Sequence, residues 1–448
     1  MKVLKFGGTS LGTPERMRAV ARIIEREDNC IVVCSAMAGV TDTLVNIGFL
    51  WKQNNHNEKA RQLNAFYSRF ESTCYELAGN GRNMGLFQGI IRTDFAEIEK
   101  VLSEEWSASG EKWLLAQGEL ITTKIFNQYL NWAEISTQWL NAFCFIQKND
   151  MGEPEVDKIS GHLSQLDKFT ANGRYLTQGY ICLDSEGNPD NLTRGGSDYT
   201  ATLIGASVGA SVIEIWTDID GLHNNDPRVV EGTQPVRELS FGEAAELAYF
   251  GAKILHPACV WPASMRNIPV WLKNTLDPQA EGTIIRHGAP ATGIRALAAK
   301  EGITIIRIRS GRMLNAYGFL RRVFEIFEYF KTPIDVITTS EVAVSVTIDN
   351  DEFLHDICNA LAQLGEVNYE TGHCIICVVG DVLALHQGYV VSIIEALRHL
   401  QVKMVSLGGS RNNLTLVIEA NQKTQALVSL QKVLFGNPKP AFEQLLNN

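Results

Sequence analysis

Lys5-Phe6-Gly7-Gly8-Thr9-Ser10 is the first stretch of the chain with residue types suited to phosphate chemistry. It follows an apolar run and precedes a helical stripe. Paired glycines let backbone N–H groups approach an anion, the helix start adds a partial positive charge, and Lys5 adds a full one. The pattern is neither a Walker A loop nor a G-x-G-x-x-G fingerprint, and a tight strand-to-helix turn would use the same glycines, so both readings stand. A second junction, Thr193-Arg194-Gly195-Gly196-Ser197-Asp198-Tyr199-Thr200, repeats the arrangement. Ser197 suits a helix cap, and Asp198 suits the first turn, where an acid is favoured even without a function. Arg194 has no such structural reason, and its guanidinium can grip a carboxylate or phosphate through paired hydrogen bonds. The third group is Trp216-Thr217-Asp218-Ile219-Asp220-Gly221, followed by Asn224-Asn225-Asp226-Pro227-Arg228. It reads as an Asx-rich turn, and its carboxylate spacing does not match a calcium loop.

Such groups act together only if a scaffold brings them to one edge. Short β-branched runs at 2 to 6, 31 to 34, 175 to 181, 212 to 216 and 268 to 272 alternate with helical patterns, which predicts an α/β domain around a mainly parallel sheet. Met17, Val20, Ala21 and Ile24 have the spacing of one helix face; Leu63, Phe66, Tyr67, Phe70 and Leu77 repeat it. No proline lies between Pro14 and Pro154, so residues 50 to 135 are expected to form a largely helical layer beside the sheet. In an open α/β sheet ligands bind beyond the carboxyl ends of the strands, where all three polar groups fall.

Turn residues accumulate between 277 and 300, and a domain boundary is placed there. Beyond it the hydrophobic pattern repeats at an offset of 70 residues, with Ile305 matching Ile375, Gly318 matching Gly388, Val323 matching Ile393 and Val346 matching Leu416. Each copy reads βαββ followed by a further helix, which predicts two ferredoxin-like units and, from their pairing, ligand sensing rather than catalysis.

The 448 residues, 45% of them hydrophobic, leave room for two to four domains and exclude a disordered or disulfide-scaffold chain. A net charge of -10 argues against nucleic acid or an anionic membrane as partner. Nine irregularly spaced cysteines read as reduced thiols, with Cys374 and Cys377 on opposite faces of a strand rather than at a metal or redox site. No run suits a signal peptide or a membrane span, so a cytoplasmic location is expected.

Lys5 to Ser10, Ser35-Ala36-Met37-Ala38-Gly39-Val40-Thr41, Gly118-Glu119, Arg194 to Thr200, Thr217-Asp218, Asp226-Pro227-Arg228 and Phe250-Gly251-Ala252-Lys253-Ile254-Leu255-His256-Pro257 resemble, in order and spacing, the motifs of the aspartate kinases (aspartokinases). The resemblance covers nearly the whole chain, and the C-terminal repeat resembles that family's paired ACT domains. It implies an amino acid kinase fold over 1 to 290, then ACT units over 300 to 365 and 366 to 448, the last helix and strand being available to complete the first unit. The chain stops after the repeat, so a fused homoserine dehydrogenase is expected to be absent.

The implied reaction moves the γ-phosphoryl group of MgATP to the side-chain carboxylate of L-aspartate, giving 4-phospho-L-aspartate, at the start of lysine, threonine and methionine biosynthesis. ATP and Mg2+ are the implied cofactors, with no dedicated protein metal site. By resemblance Lys5 and Asp198 are catalytic. Lys5, Phe6, Gly7, Gly8, Thr217, Asp218, His223, Arg228, Lys253 and Ile254 would hold the nucleotide. Ser35, Thr41, Glu119, Arg194 and Ser197 would hold aspartate, Glu119 by its ammonium and Arg194 by a carboxylate. Three positions depart from the family pattern: His223 replaces a common Tyr, Ala116 a common Ser, and Thr193 a usual Gly.

The resemblance extends to the effector site of lysine-sensitive relatives at Met313, Ala316, Phe319, Leu320, Ile334, Asp335, Ser340 and Glu341. Asp335 and Glu341 are expected as an acidic pair suited to lysine, on and after a strand facing the Gly318 loop, and assembly into a homodimer or homotetramer through the ACT units is implied. Ala316 and Pro333 replace hydroxyl-bearing residues there. Two rivals are a family member acting on glutamate, carbamate or UMP and a silent amino-acid sensor. The first usually lacks the repeat and Gly118-Glu119, and the second has no need of Lys5, Glu119, Arg194, Asp198 and Lys253.

Overall fold

The computed structural model describes residues 1–79, 81–167, 169–170, 172–192, 195–251, 257–289, 293–313, 317–381 and 388–436. The chain begins with strand β1 (Lys2–Phe6), helix α1 (Pro14–Glu25) and β2 (Cys30–Cys34). Four helices follow, α2 (Val40–Lys52), α3 (His56–Leu77), α4 (Gly85–Ser103) and α5 (Ala108–Trp132). Next come β3 (Gln138–Trp139), α6 (Val156–Gln165), β4 (Arg174–Gln178), β5 (Ile181–Leu183), β6 (Pro189–Asn191), α7 (Gly196–Val208) and β7 (Ile213–Thr217). Then come β8 (Glu238–Leu239), α8 (Phe241–Tyr249), α9 (Pro257–Met265), β9 (Val270–Asn274) and β10 (Thr283–Ile285).

Two compact units result: residues 1–222 with 255–289, and residues 223–254 with 290–448. The second unit thus takes in residues 223–254 as well as those beyond the turn-rich segment near 290. Residues 223–254 leave the first unit because they are held elsewhere: the Leu297 N–H donates to the Asn224 carbonyl (2.9 Å), and Val230 joins a core with Leu297, Cys374 and Leu427.

In the first unit the strands run β3-β4-β2-β1-β7-β9-β10, parallel except where β10 meets β9. Phe6 pairs with Cys34 and Trp216, and Cys34 with Gln178, so the carboxyl ends of β1, β2, β4 and β7 align. The residues that follow them, Gly7, Ser35, Gly179 and Asp218, therefore emerge along one edge. Helix α1 starts at Thr13, whose hydroxyl accepts the Arg16 N–H, with Pro14 at the first helical position. Its face of Met17, Val20, Ala21 and Ile24 is buried as expected, the Met, Val and Ile side chains each contributing roughly 1.5–3 kcal/mol for full burial. The helical layer of α2 to α5 shares that core through Phe66, Phe70, Phe95 and Phe126.

One local expectation fails. The run 175 to 181 is two strands, because β4 stops at Gln178 and β5 restarts at Ile181 after Tyr180 turns into the left-handed region at φ 69°. Alternation of side chains does not reveal such a break, since apart from Gly179 the residues of the run are compatible with a strand.

The second unit continues with β11 (Ile294–Arg309), α10 (Phe319–Tyr329), β12 (Ile337–Thr339), β13 (Ala343–Ile348) and α11 (Leu354–Leu361). It ends with β14 (Glu366–Gly380), α12 (Tyr389–Ala396), β15 (Met404–Leu407), β16 (Asn413–Glu419) and α13 (Lys423–Leu434). Among the described residues one antiparallel sheet runs β12-β13-β11-β14-β16-β15. The two copies of the repeat are present, but each is closed by a strand the other uses. The first half of β14 pairs Arg309 to Ile305 of β11 and completes the first copy. The first half of β11, paired with Cys374 to Gly380, completes the second. The last helix does not complete the first copy: α13 packs its Ala426, Leu427 and Leu430 in the second copy's core with Ile376 and Leu416. Cys374 lies in that core, and Cys377 lies beside the Thr415 hydroxyl, so the C-x-x-C is two separately buried thiols. Among the described residues no helix is long and apolar enough to cross a membrane.

Candidate active site

The site is built on the shared carboxyl edge of β1, β2 and β4. Lys5 projects from β1, and its Nζ lies 2.6 Å from Oδ1 of Asp198 in the first turn of α7. Both side chains are largely enclosed, so the pair feels less solvent screening than a surface ion pair. Two left-handed glycines, Gly195 (φ 68°) and Gly196 (φ 47°), start α7 at this angle, and residues with a Cβ would strain there. Gly7 N–H donates to the Trp216 carbonyl (3.4 Å), and Ser10 N–H donates back to Gly7 (3.0 Å), so the glycine pair does form a tight turn as well as a cradle.

Gly8 is there for space. A Cβ at this position would stand 2.7 Å from the Ala36 carbonyl oxygen, and Ala38 N–H donates to the Gly8 carbonyl at 3.0 Å. Gly8→Ala should therefore push the Lys5 loop away from the Ser35–Ala38 loop. Since a misplacement of about 1 Å can cost up to 10²-fold, kcat/KM is expected to fall by at least about tenfold while the circular dichroism spectrum stays that of the folded protein.

Ser35 and Ser197 meet directly, Oγ to Oγ at 2.8 Å, joining the ends of β2 and α7. Glu119 arrives from α5. Its neighbour Gly118 lets the helix in, because a Cβ would lie 2.9 Å from Val40 and 3.1 Å from Ala36. Glu119 Oε1 accepts the Ala36 N–H at 3.3 Å, whereas Oε2 is buried with no partner. Burial pushes its pKa up to about 8, because removing a carboxylate from water disfavours the charged form. An unpartnered buried oxygen of this kind calls for a donor from outside the protein. Thr41, half-buried, sits in the first turn of α2 behind Gly39. Thr217 ends β7, its hydroxyl donating to the exposed Asp218 (3.2 Å).

These residues lie in the first unit. The family model for the amino acid kinase family matches residues 1–274. The chain is also 32% identical over 448 aligned residues to the lysine-sensitive aspartokinase 3 of Escherichia coli (strain K12), spanning 97% of this chain and 99% of that protein. The chain belongs to the aspartokinases. Among solved structures it matches E. coli aspartokinase III in complex with aspartate and ADP (R-state), with a TM-score of 0.86, 31% identity and coverage of 97% and 100% of the two chains. It also matches the same enzyme in complex with lysine and aspartate (T-state), with a TM-score of 0.77, 30% identity and coverage of 97% and 99%. As an aspartokinase it is a phosphotransferase that uses ATP and has a carboxyl group as acceptor.

Of the residues expected to form the aspartokinase site, the fold brings Lys5, Phe6, Gly7, Gly8, Ser35, Glu119, Ser197 and Asp198 into one chain of contacts. His223 and Arg228 belong to the second unit. There His223 Nδ1 lies 2.9 Å from the Thr233 hydroxyl, and Arg228 forms a two-pronged pair with Asp226 (2.9 and 2.8 Å) that holds the Asp226 carboxyl below the usual range. Arg194, Lys253, Ile254 and Ala316 lie outside the described residues, as does Thr193. Two contributors went unread in the sequence, Gly179 and Tyr180. A Cβ on Gly179 would meet Ser197 at 2.2 Å, and only the Gly at a strand end hinted at it.

The residues compared with an effector site separate by environment. Phe319 is core, and Met313 and Ile334 are half-buried against that core. Leu320, Ser340 and Glu341 are exposed. Ile334 and Asp335 precede β12 rather than lying on it. Asp335 is no exposed partner of Glu341: its side chain is 1% accessible and its Oδ1 binds Lys300 Nζ (2.6 Å) and the Tyr249 hydroxyl (3.0 Å). Lys300 also reaches Asp349 (2.8 Å), and Asp335 Oδ2 is buried without a partner. A sequence pattern could not show this pairing, since Lys300 and Asp335 are on different elements.

Proposed function

We propose that the first unit transfers the γ-phosphoryl group of ATP to the side-chain carboxylate of L-aspartate, giving 4-phospho-L-aspartate. The observation that carries this is the Lys5–Asp198 pair set between two glycine turns, together with the unpartnered Oε2 of Glu119. The acceptor is already ionised at neutral pH and needs no general base, so positioning and charge neutralisation do the chemistry. Lys5 neutralises charge on the migrating group, and Asp198 aims the Lys5 ammonium. Phe6 and the N–H groups of Gly7 and Gly8 border the phosphates. Glu119 accepts the aspartate ammonium, Arg194 grips a carboxylate, and Ser35, Thr41 and Ser197 close the pocket. Thr217, Asp218, His223, Arg228, Lys253 and Ile254 complete the nucleotide set. Mg2+ would be carried on the nucleotide phosphates with water as its other ligands, where it would offset phosphate charge. The test is ADP release with MgATP and aspartate, glutamate or no acceptor: release with aspartate alone is expected, and equal release with glutamate refutes the assignment.

In this reading residues 1–290 are the catalytic domain and 300–365 and 366–448 the ACT units, with assembly as a homodimer or homotetramer through them in the cytoplasm. The first half of β14, paired on one side only among the described residues, offers an edge for that assembly. Lysine is the feedback inhibitor, bound at Met313, Ala316, Phe319, Leu320, Ile334, Asp335, Ser340 and Glu341. Two carboxylates, Asp335 and Asp349, face the single Lys300 ammonium, and the unpartnered Oδ2 of Asp335 suits a further cation. Kinase activity titrated with lysine, threonine and methionine should fall with lysine, and Asp335→Asn should shift that inhibition to higher lysine by about 5- to 150-fold, the range of an ordinary coupling energy. Inhibition unchanged in Asp335→Asn would move the site elsewhere.

A further inference from the structure

Tyr180 is the one aromatic residue among the described part of the chain that takes a left-handed backbone, at φ 69°. Non-glycine residues are held in that region when their surroundings over-determine it, and such residues cluster at ligand sites. Here the constraints are explicit. Tyr180 N–H donates to the Thr200 hydroxyl in α7 (2.9 Å), and its carbonyl accepts the Leu192 N–H (2.7 Å). The preceding Gly179 donates to the Cys34 carbonyl (2.8 Å) and leaves no room for a Cβ beside Ser197. The Tyr180 ring faces Gly196, 3.7 Å from where a Cβ would stand. The unusual backbone thus sets the ring against Gly196 at the start of α7, the helix whose first turn carries Asp198.

The Tyr180 side chain is half-buried, and its hydroxyl makes no hydrogen bond among the described residues. Burial first, then the neighbouring charges of Glu119 and Asp190, push its pKa up to about 12, so it keeps its proton at every pH at which the enzyme works. Glu119, by contrast, has a buried Oε2 that lacks a donor.

We propose that Tyr180 is a further substrate-binding residue, whose hydroxyl donates to the α-carboxylate of aspartate while Glu119 accepts the ammonium on the same carbon. The inference rests on the assignment of Glu119 to the ammonium. An α-amino acid carries an anion and a cation one atom apart, and a hydroxyl donor beside a carboxylate acceptor reads that pair and nothing smaller. Specificity follows because a site built to hydrogen-bond a group rejects an analogue lacking it.

The experiment compares Tyr180→Phe with the unaltered enzyme on aspartate and on β-alanine, which keeps the ammonium and the acceptor carboxylate but has no α-carboxylate. Tyr180→Phe keeps the ring and its packing and removes only the donor. The aspartate KM should rise about tenfold or more, as for loss of a hydrogen bond to a charged group, with the ATP KM unchanged. The preference for aspartate over β-alanine should shrink by the same factor. An unchanged aspartate KM, or an equal loss on both acceptors, would overturn the proposal. Glu119→Gln measured alongside separates the two assignments: an aspartate KM untouched by that change defeats the Glu119 reading, whereas a Tyr180→Phe enzyme that behaves as wild type beside an impaired Glu119→Gln defeats only the Tyr180 one.

Discussion

Lys5→Met should leave a folded protein with turnover reduced by at least about 10²-fold, the usual consequence of losing one stabiliser of transition-state charge. The substitution keeps the length and apolar stem of the side chain and removes only the ammonium 2.6 Å from Asp198. Because the pair is at the edge of the sheet rather than in the core, the melting temperature should move little compared with activity. Asp198→Asn should also reduce turnover, and the double variant should be no worse than Lys5→Met, since residues acting as a unit are not additive. Single-turnover phosphoryl transfer checks both. A folded Lys5→Met enzyme with near wild-type turnover would remove Lys5 from the mechanism.

Aspartate affinity should rise about tenfold per pH unit up to about pH 8 and then level off. The sign follows from Glu119, whose pKa is pushed up to about 8 by burial: the free enzyme near neutral pH holds this carboxyl protonated, while an ammonium binds the ionised form. Glu119→Gln cannot ionise, so its aspartate KM should be raised by about 10- to 100-fold and lose that pH dependence, with the ATP KM little changed. Stability runs the opposite way. A carboxyl whose folded pKa lies above its ordinary value of 4.5 contributes in full below that value and loses its contribution as pH rises through about 8. Glu119→Gln should flatten that fall between the two values, read by urea unfolding across the range. A wild-type aspartate KM that is flat from about pH 6 to 8 would place the titration elsewhere.

The sequence by itself determined the class of fold, the order of its parts and the residues worth testing. Alternation of period 2 and period 3.6, the Gly7–Gly8 and Gly195–Gly196 pairs and the offset of 70 residues are local or repeated signals, legible without knowing what lies beside them. Tertiary structure decided which charges meet and which are free. Lys5 and Asp198 are 193 positions apart, and only the packing of α7 against β1 brings them together. Glu119 is one carboxylate among many until Gly118 lets α5 press against Ala36 and strips water from it. Asp335 reads as one of an acidic pair with Glu341 until Lys300 is found against it, and the two ferredoxin-like copies read as separate until β11 and β14 are seen to run through both. The break at Gly179–Tyr180, hinted at in the sequence only by the glycine, depends on Ser197 and Thr200 from a later helix. The physical reason is common to all of these. Periodicity reports the environment of a face, whereas a pKa, an ion pair or a strained φ is set by atoms that reach the site from distant parts of the chain.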